Sequence, residues 1–352
     1  MSGDLKKAPG AEPAPAPDVS HESGAGGGWL RRVLATNTAG IFFVLLLLFA
    51  IFSILKPDNF PTEFNIRAMA TNAAVLLVIA VGETFVIISG GIDLSVGYVL
   101  LFSGVISAQV MNAFGDPTAK GWDVVGLGLV AGILAGLGWG IFNGILVAKA
   151  KIPPLIVTLG SLGMAWGLAQ IISGGQDIRY IPSLLSSALG TGRVFGVPWL
   201  VIVAAIVAAL GAVVLKYNRF GRYTLAIGSN KEAARRAGIP VDRHLIKVYA
   251  LSGMLAGLGG VLALSYFTTT TISGHANDNL TAIAAVVIGG SSLAGGVGTV
   301  IGTAIGVFIP AVLQSGFIII GLQSFWENVA VGAVLIVAVF VDQLRRNSRD
   351  RA

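Results

Sequence analysis

Long apolar runs separated by short polar stretches fill most of the chain. A bilayer core of ~30 Å takes about 20 apolar residues as a helix. Runs of that order fall at 38–55, 68–89, 95–114, 124–148, 154–173, 197–215, 248–270, 281–293, 297–317 and 325–341. The pattern predicts an all-α polytopic membrane protein with about ten transmembrane helices. The eighth run is short for a full span and predicts a broken or re-entrant helix instead.

Two glycine-polar interruptions predict helix breaks, near 90–97 and near 289–298. The first reads Ser89-Gly90-Gly91-Ile92-Asp93-Leu94-Ser95-Val96-Gly97 and the second Gly289-Gly290-Ser291-Ser292-Leu293-Ala294-Gly295-Gly296. Both carry Gly-Gly, two residues, Leu and a small residue, a weak internal echo. In each, glycines can end one helix, and at the first Asp93 or Ser95 can cap the next by accepting from an orphan N–H. Irregular backbone at membrane depth must face protein or a water-filled cavity, so these motifs border a candidate translocation path. Glu83, inside the second run, is either an interhelical tie or part of that path. Asn72, Thr158, Gln170, Ser291 and Ser292 supply further hydrogen-bonding groups along it, while Glu327 falls beside Trp326 near a span end. Glycine also recurs every fourth residue at Gly128, Gly132, Gly136, Gly140 and Gly144, and again at Gly298, Gly302 and Gly306. In lipid, such stripes let backbones approach closely and serve helix packing.

Composition agrees with the membrane reading. Charged residues are 11% of the 352 and hydrophobic residues 55%, whereas a soluble domain carries about 25% charged. The basic pI does not point to nucleic acid, because the cations lie between apolar runs as topology signals. With the N-terminus in the cytoplasm, 18 of the 23 Lys and Arg fall on inner segments, which predicts cytoplasmic N- and C-termini. Residues 1–28, polar and rich in Ala, Pro and Gly, predict a disordered cytoplasmic tail. A transmembrane domain then spans 29–345, and 346–352 form a basic cytoplasmic tail. Cysteine is absent, no G-x-x-x-x-G-K-[ST] loop occurs, and no His-Glu-x-x-His is present. No metal site and no catalytic residue is expected, and any nucleotide must be bound by another chain.

Loop 216–247 carries eight basic and two acidic residues, an excess of +6 that equals the net charge of the whole protein. Within it, helix formers run from Lys231 to Ala237, Gly238 suits a left-handed cap, and Pro240 blocks continuation. A helix of two turns is unstable alone in water. It predicts a docking element, the alternative being a basic loop resting on anionic lipid headgroups.

These residues resemble a known family. The run Gly82 to Gly97, with Ile87-Ile88-Ser89-Gly90-Gly91-Ile92-Asp93-Leu94-Ser95-Val96-Gly97, closely resembles the signature of permease subunits of ribose-type bacterial ABC importers. Lys151-Ile152-Pro153-Pro154-Leu155-Ile156-Val157-Thr158-Leu159-Gly160 and Ser173-Gly174-Gly175-Gln176 resemble the family's next span. Ala226-Ile227-Gly228-Ser229-Asn230 through Gly238 resembles its coupling segment, and Ala333-Val334-Leu335 to Asp342 its carboxy-terminal span. Glu327 stands where such proteins are expected to carry glutamine. The resemblance covers about 38–345. It implies a homodimer, or a close heterodimer with a second permease subunit, moving a monosaccharide or related polyol across the inner membrane by alternating access. A cytoplasmic ABC ATPase, which holds the ATP and Mg, would dock on 229–238 through Glu232, Ala233, Ala234, Arg235 and Gly238. An extracytoplasmic sugar-binding protein would deliver substrate, and membrane lipid surrounds the bundle. Two other classes are weighed against this. An ion-coupled secondary transporter has no use for the Glu232–Gly238 helix, and a structural anchor needs no helix breaks.

Overall fold

The computed structural model describes residues 37–114, 121–179, 181–272, 274–275, 277–323 and 325–349. The 1–28 tail and residues 350–352 lie outside the described residues. So does the side chain of Glu327. Among the described residues 77% are helical, in thirteen α-helices. They are α1 (Asn37–Leu55), α2 (Glu63–Ile88), α3 (Val96–Ala113), α4 (Trp122–Ala148), α5 (Pro154–Ser173), α6 (Ser183–Leu185) and α7 (Trp199–Tyr217). There follow α8 (Arg219–Ser229), α9 (Lys231–Arg236), α10 (Val241–Phe267), α11 (Asp278–Ile288), α12 (Val300–Ile319) and α13 (Phe325–Arg349). A π-turn at Ser186–Gly190 and a two-stranded ribbon, β1 (Arg193–Val194) with β2 (Val197–Pro198), lie between α6 and α7.

By length and composition α2, α3, α4, α5, α7, α10 and α12 can cross a bilayer, seven helices among the described residues. Ala39–Leu55, Asp278–Ile288 and Asn328–Val337 are shorter apolar helices. The protein is therefore an all-α polytopic membrane protein. The eighth run is the clearest departure from a full span. Eleven residues of α11 advance about 16 Å, roughly half of a ~30 Å core.

Local chemistry sets the helix ends. Thr62 accepts from the Asn65 N–H at 3.2 Å and starts α2, with Glu63 and Arg67 paired in its first turn. Pro154 occupies the first turn of α5, where its missing N–H has no role, and left-handed Gly174 ends that helix. Thr299 caps α12 through the Gly302 N–H at 3.0 Å.

Two helices make the interior. α2 is buried along nearly its whole length from Ala73 to Ile88, and α10 from Ser252 to Ser265 except Met254 and Leu258. Around them α4, α5 and α7 turn apolar faces outward, including Leu134, Ile171 and Leu210. The glycine stripe of α4 is what lets α10 in. A Cβ on Gly136 would meet the backbone of Gly253 and Gly257, on Gly140 that of Tyr249 and Gly253, and on Gly144 that of Ile246. Gly132 faces Val261 and the Ser103 carbonyl, and Gly128 faces the Met111 side chain. The second stripe is different. Gly302 and Gly306 meet the Gly289 and Ala285 carbonyls of the α11 region, but α12 starts only at Val300. Gly298 therefore lies in the break, against Ser291 and Ile88, and not on a helix as the periodicity predicts.

The 216–247 segment also departs from a loop. α8 and α9 fill most of it, and α10 begins at Val241, seven residues before the apolar run at 248.

Candidate functional site

The first break is built from a closing turn and a set of side-chain clamps. After Ile88, the Gly90 N–H donates to the Ile87 carbonyl at 2.9 Å and the Gly91 N–H to the Val86 carbonyl at 3.0 Å. Gly90 takes φ +83°, which an L side chain rarely adopts. A Cβ on Gly91 would stand 2.5 Å from the Tyr249 Oη, so α10 can press against this turn only because the residue is glycine.

Four helices then hold the next residues. The Asp93 N–H donates to Glu83 Oε1 of α2 at 3.1 Å. Asp93 Oδ1 accepts from the Ser95 N–H at 2.9 Å and from Ser95 Oγ at 2.5 Å, an Asx turn that leads into α3; Ser95, the N-cap residue, makes no side-chain cap bond, so neither residue caps the helix as the sequence predicts. Asn143 of α4 donates from Nδ2 to Ser95 Oγ at 2.9 Å, and Thr158 of α5 lies 3.2 Å from the Ile92 carbonyl. Asn279 of α11 donates from Nδ2 to the Leu94 carbonyl at 3.0 Å. Glu83 and Asp93 are buried, at 0% and 2% exposure, and among the described residues no cation pairs with either. Glu83 Oε2, Asn143 Oδ1 and the Tyr249 Oη have no hydrogen-bond partner among the described residues. Buried acids without counter-ions are expensive, and here they sit where irregular backbone crosses the interior. The cluster can accept hydrogen bonds from a polar group that enters it. No group of three or more His, Cys, Asp or Glu is placed to hold a metal ion among the described residues.

The second break repeats the first turn. Gly290 takes φ +91°, its N–H donates to the Val287 carbonyl at 2.9 Å, and the Ser291 N–H donates to Val286 at 3.2 Å. The geometric match thus pairs Gly90 with Gly290, one residue on from the pairing of Gly90 with Gly289 that the sequence echo gives. The two breaks touch, because the Gly296 N–H donates to the Ile88 carbonyl at 2.8 Å. Gly228 of α8 seals the junction. A Cβ there would meet both the Ile88 carbonyl and the Gly296 nitrogen.

α9 rests directly beside this junction. Asn230 caps it by accepting from the Ala233 N–H at 2.9 Å. Gly238 ends it at φ +83°, with the Ile239 N–H on the Ala234 carbonyl at 3.1 Å. Ala234 is buried with Ile227, Val241 and Leu245, and Glu232, Ala233, Arg235 and Gly238 are exposed. Arg235 pairs with Glu232 at 3.0 Å and approaches Asp242 at 3.4 Å. A cavity of about 520 Å³ runs from Gly90, Gly91 and Tyr249 to Lys231, Glu232 and Arg235. Thr224 and His244, 2.9 Å apart, fasten α8 to α10.

Of the path residues named from sequence, Glu83, Gly90, Gly91, Asp93, Ser95 and Thr158 come together here. Ser291, with its Oγ buried and unpartnered, and Ser292 belong to the adjoining second break. Asn72 and Gln170 do not join them: Asn72 is exposed toward the other end of α2, and Gln170 lies in the last turn of α5. Tyr249, Asn143, Asn279 and Gly228 were not singled out by sequence. The polar ones lie within spans or at the start of α11, and only the intramembrane amide of Asn143 offered a signal.

The family described as branched-chain amino acid transport system / permease component matches residues 65–339. The L-arabinose ABC transporter permease protein of Azospirillum brasilense is 35% identical over 96% of this chain and 96% of its own. The ribose import permease protein of Bacillus subtilis is 36% identical over 86% of this chain and 92% of its own. The D-allose transport system permease protein of Escherichia coli is 34% identical over 87% and 91%. No solved structure matches the chain. The chain belongs to this family of transport-system permease components, and is a multi-pass inner-membrane transport subunit and not an enzyme.

Proposed function

We propose that this chain is the membrane-spanning permease of an ABC importer that brings a monosaccharide, a pentose, hexose or related polyol, into the cell. It works as one of two permease subunits, most simply a homodimer. A separate ATPase binds ATP and Mg and docks on 229–238, and an extracytoplasmic binding protein delivers the sugar. Ten membrane segments, including the half-length α11, put both termini in the cytoplasm and the 216–247 segment beside the ATPase.

One observation carries the reading. The exposed helix α9 shares a cavity with the first break, and Gly228 of the adjoining α8 packs on both breaks. A push on α9 therefore reaches the irregular backbone without passing through a flexible linker. The arabinose, ribose and allose permeases named above support the sugar class. The ion-coupled alternative has the buried pair Glu83 and Asp93 in its favour, but it leaves α9 without a role.

The test is reconstitution of the permease with its ATPase and binding protein in liposomes. ATP-dependent accumulation of a labelled monosaccharide is expected, lost on omitting the ATPase. Uptake that persists without ATPase and follows an ion gradient would overturn the proposal. Gly238→Pro, which removes the N–H that closes α9, is expected to weaken ATPase binding in a pull-down.

A further inference from the structure

At the end of the bundle away from α9, a second polar cavity of about 470 Å³ lies among α2, α10, α11, α12 and α13. Its size suits a small ligand. Asn72, Gln314, Asp278 and Asn328 line it, together with the rings of Tyr266 and Phe267. Pro310 of α12 also borders it, in a helix whose ladder it interrupts. An adjoining cavity of about 370 Å³ shares Asn72 and Gln314 and continues toward Asn59 and Asn65.

The chemistry is unusual for a membrane span. Asn72 and Gln314 have no hydrogen-bond partner among the described residues. Polar side chains within spans are expensive, and they normally face the bundle interior or a water-filled cavity. The floor is the start of the half-length α11, where Asp278 Oδ2 holds His275 Nδ1 at 2.7 Å. His275 is 8% exposed and completes the wall, with Thr271 at 2.9 Å on its other ring nitrogen. Beneath this floor lies the first break: a Cβ on Gly97 would meet the Asn279 nitrogen and the Asp278 Cβ. Amides that donate to and accept from hydroxyls and a carboxylate that accepts from them, beside aromatic rings that cover C–H faces, form a surface suited to a sugar ring.

We infer that this cavity is a carbohydrate-binding chamber on the translocation path, with Asn72 and Gln314 contacting sugar hydroxyls and Tyr266 covering the ring face. The inference rests on the sugar-permease reading and adds the place where the sugar is held. It also puts Asn72 on the path apart from the Glu83–Asp93 cluster, and leaves Gln170 outside the chamber.

The chain's lack of cysteine gives the test a clean background. In the full transporter with its ATPase and binding protein, Asn72→Leu and Gln314→Leu are each expected to lower monosaccharide uptake at least tenfold at saturating binding protein. Tyr266→Phe should retain uptake within twofold, and Tyr266→Leu should lower it at least fivefold. Uptake within twofold of the parent in both leucine variants would overturn the inference. A parent that moves no monosaccharide would instead defeat the transport reading. Should a leucine variant not assemble, Asn72→Cys and Gln314→Cys keep the question open to experiment. Both are expected to react with a membrane-impermeant cationic methanethiosulfonate added from outside, while Leu134→Cys on the outer face of α4 stays unreacted. No reaction at either position would refute a water-filled chamber.

Discussion

Replacing Gly136 by alanine tests the close backbone contact between α4 and α10. A Cβ there would stand 2.3 Å from the Gly253 carbonyl oxygen and 2.7 Å from the Cα and nitrogen of Gly257, where ordinary contact begins at 3.4 Å. The backbone of α10 must therefore yield by about 1.1 Å, and backbone in a close-packed interior has no rotamer with which to do so. Overpacking of this kind costs about 1–3 kcal/mol. Against it, alanine gains about 1 kcal/mol over glycine inside a helix. Gly138 supplies the control: it is on the same helix, and a Cβ there meets nothing within 4 Å. Gly138→Ala keeps the helical gain, so the difference between the two variants isolates the packing cost at about 1–3 kcal/mol. The assay is thermal unfolding of the purified permease in detergent, followed by tryptophan fluorescence. Gly136→Ala is expected to melt roughly 2–6 °C below Gly138→Ala. Equal midpoints, or a more stable Gly136→Ala, would show that the stripe does not hold α4 to α10.

Three further outcomes follow from the hydrogen bonds around the junction. Asp93→Ala removes the acceptor of the buried Ser95 N–H and hydroxyl, and should destabilise the entry to α3 by about 1–3 kcal/mol. Asp93→Asn keeps an acceptor oxygen and should recover at least half of that in the same melting assay. Asn230→Ala removes the cap of α9, costing about 1 kcal/mol, and amide exchange over 231–237 should quicken severalfold while that of α10 is unchanged. Thr224→Val leaves the buried His244 without its hydroxyl partner, a loss of about 1–3 kcal/mol, and Thr224→Ser should restore the parent midpoint.

How far the sequence carried depends on which kind of contact is in question. Each of the ten apolar runs overlaps a helix, because lipid requires a contiguous apolar segment and backbone bonds closed within it. The breaks were legible for the same reason: Gly90 and Gly290 announce a turn that other residues resist. What escaped was everything set by partners far along the chain. Asn143, Tyr249 and Asn279 reach the first break from helices that periodicity cannot orient, and so the site had to be assembled from three dimensions. The start of α10 was misjudged because Asp242, Arg243 and Lys247 end the apolar run although the helix continues through them. Gly298 was given to a helix because a four-residue spacing looks alike in a helix and in a glycine-rich break.

The charge excess of 216–247 gains a mechanical context from this arrangement. Arg235 is paired with Glu232 and faces Asp242, while Lys231 and Arg236 stay exposed around the uncharged surface of Ala233, Ala237 and Gly238. A partner meeting α9 thus finds a small, flat apolar spot ringed by cations. Below that surface the contacts become backbone against backbone. Ala234 is packed with Ile227 of α8, and Gly228, the next residue, lies on the Ile88 carbonyl and the Gly296 nitrogen. Long side chains can absorb a displacement by changing rotamer, but glycine contacts have no such slack. A shift of α8 must therefore be taken up by the ends of α2 and α11 together, since the Gly296–Ile88 hydrogen bond already ties the two breaks. The same glycines that make the breaks possible also pack them directly against the segment that carries the protein's charge excess.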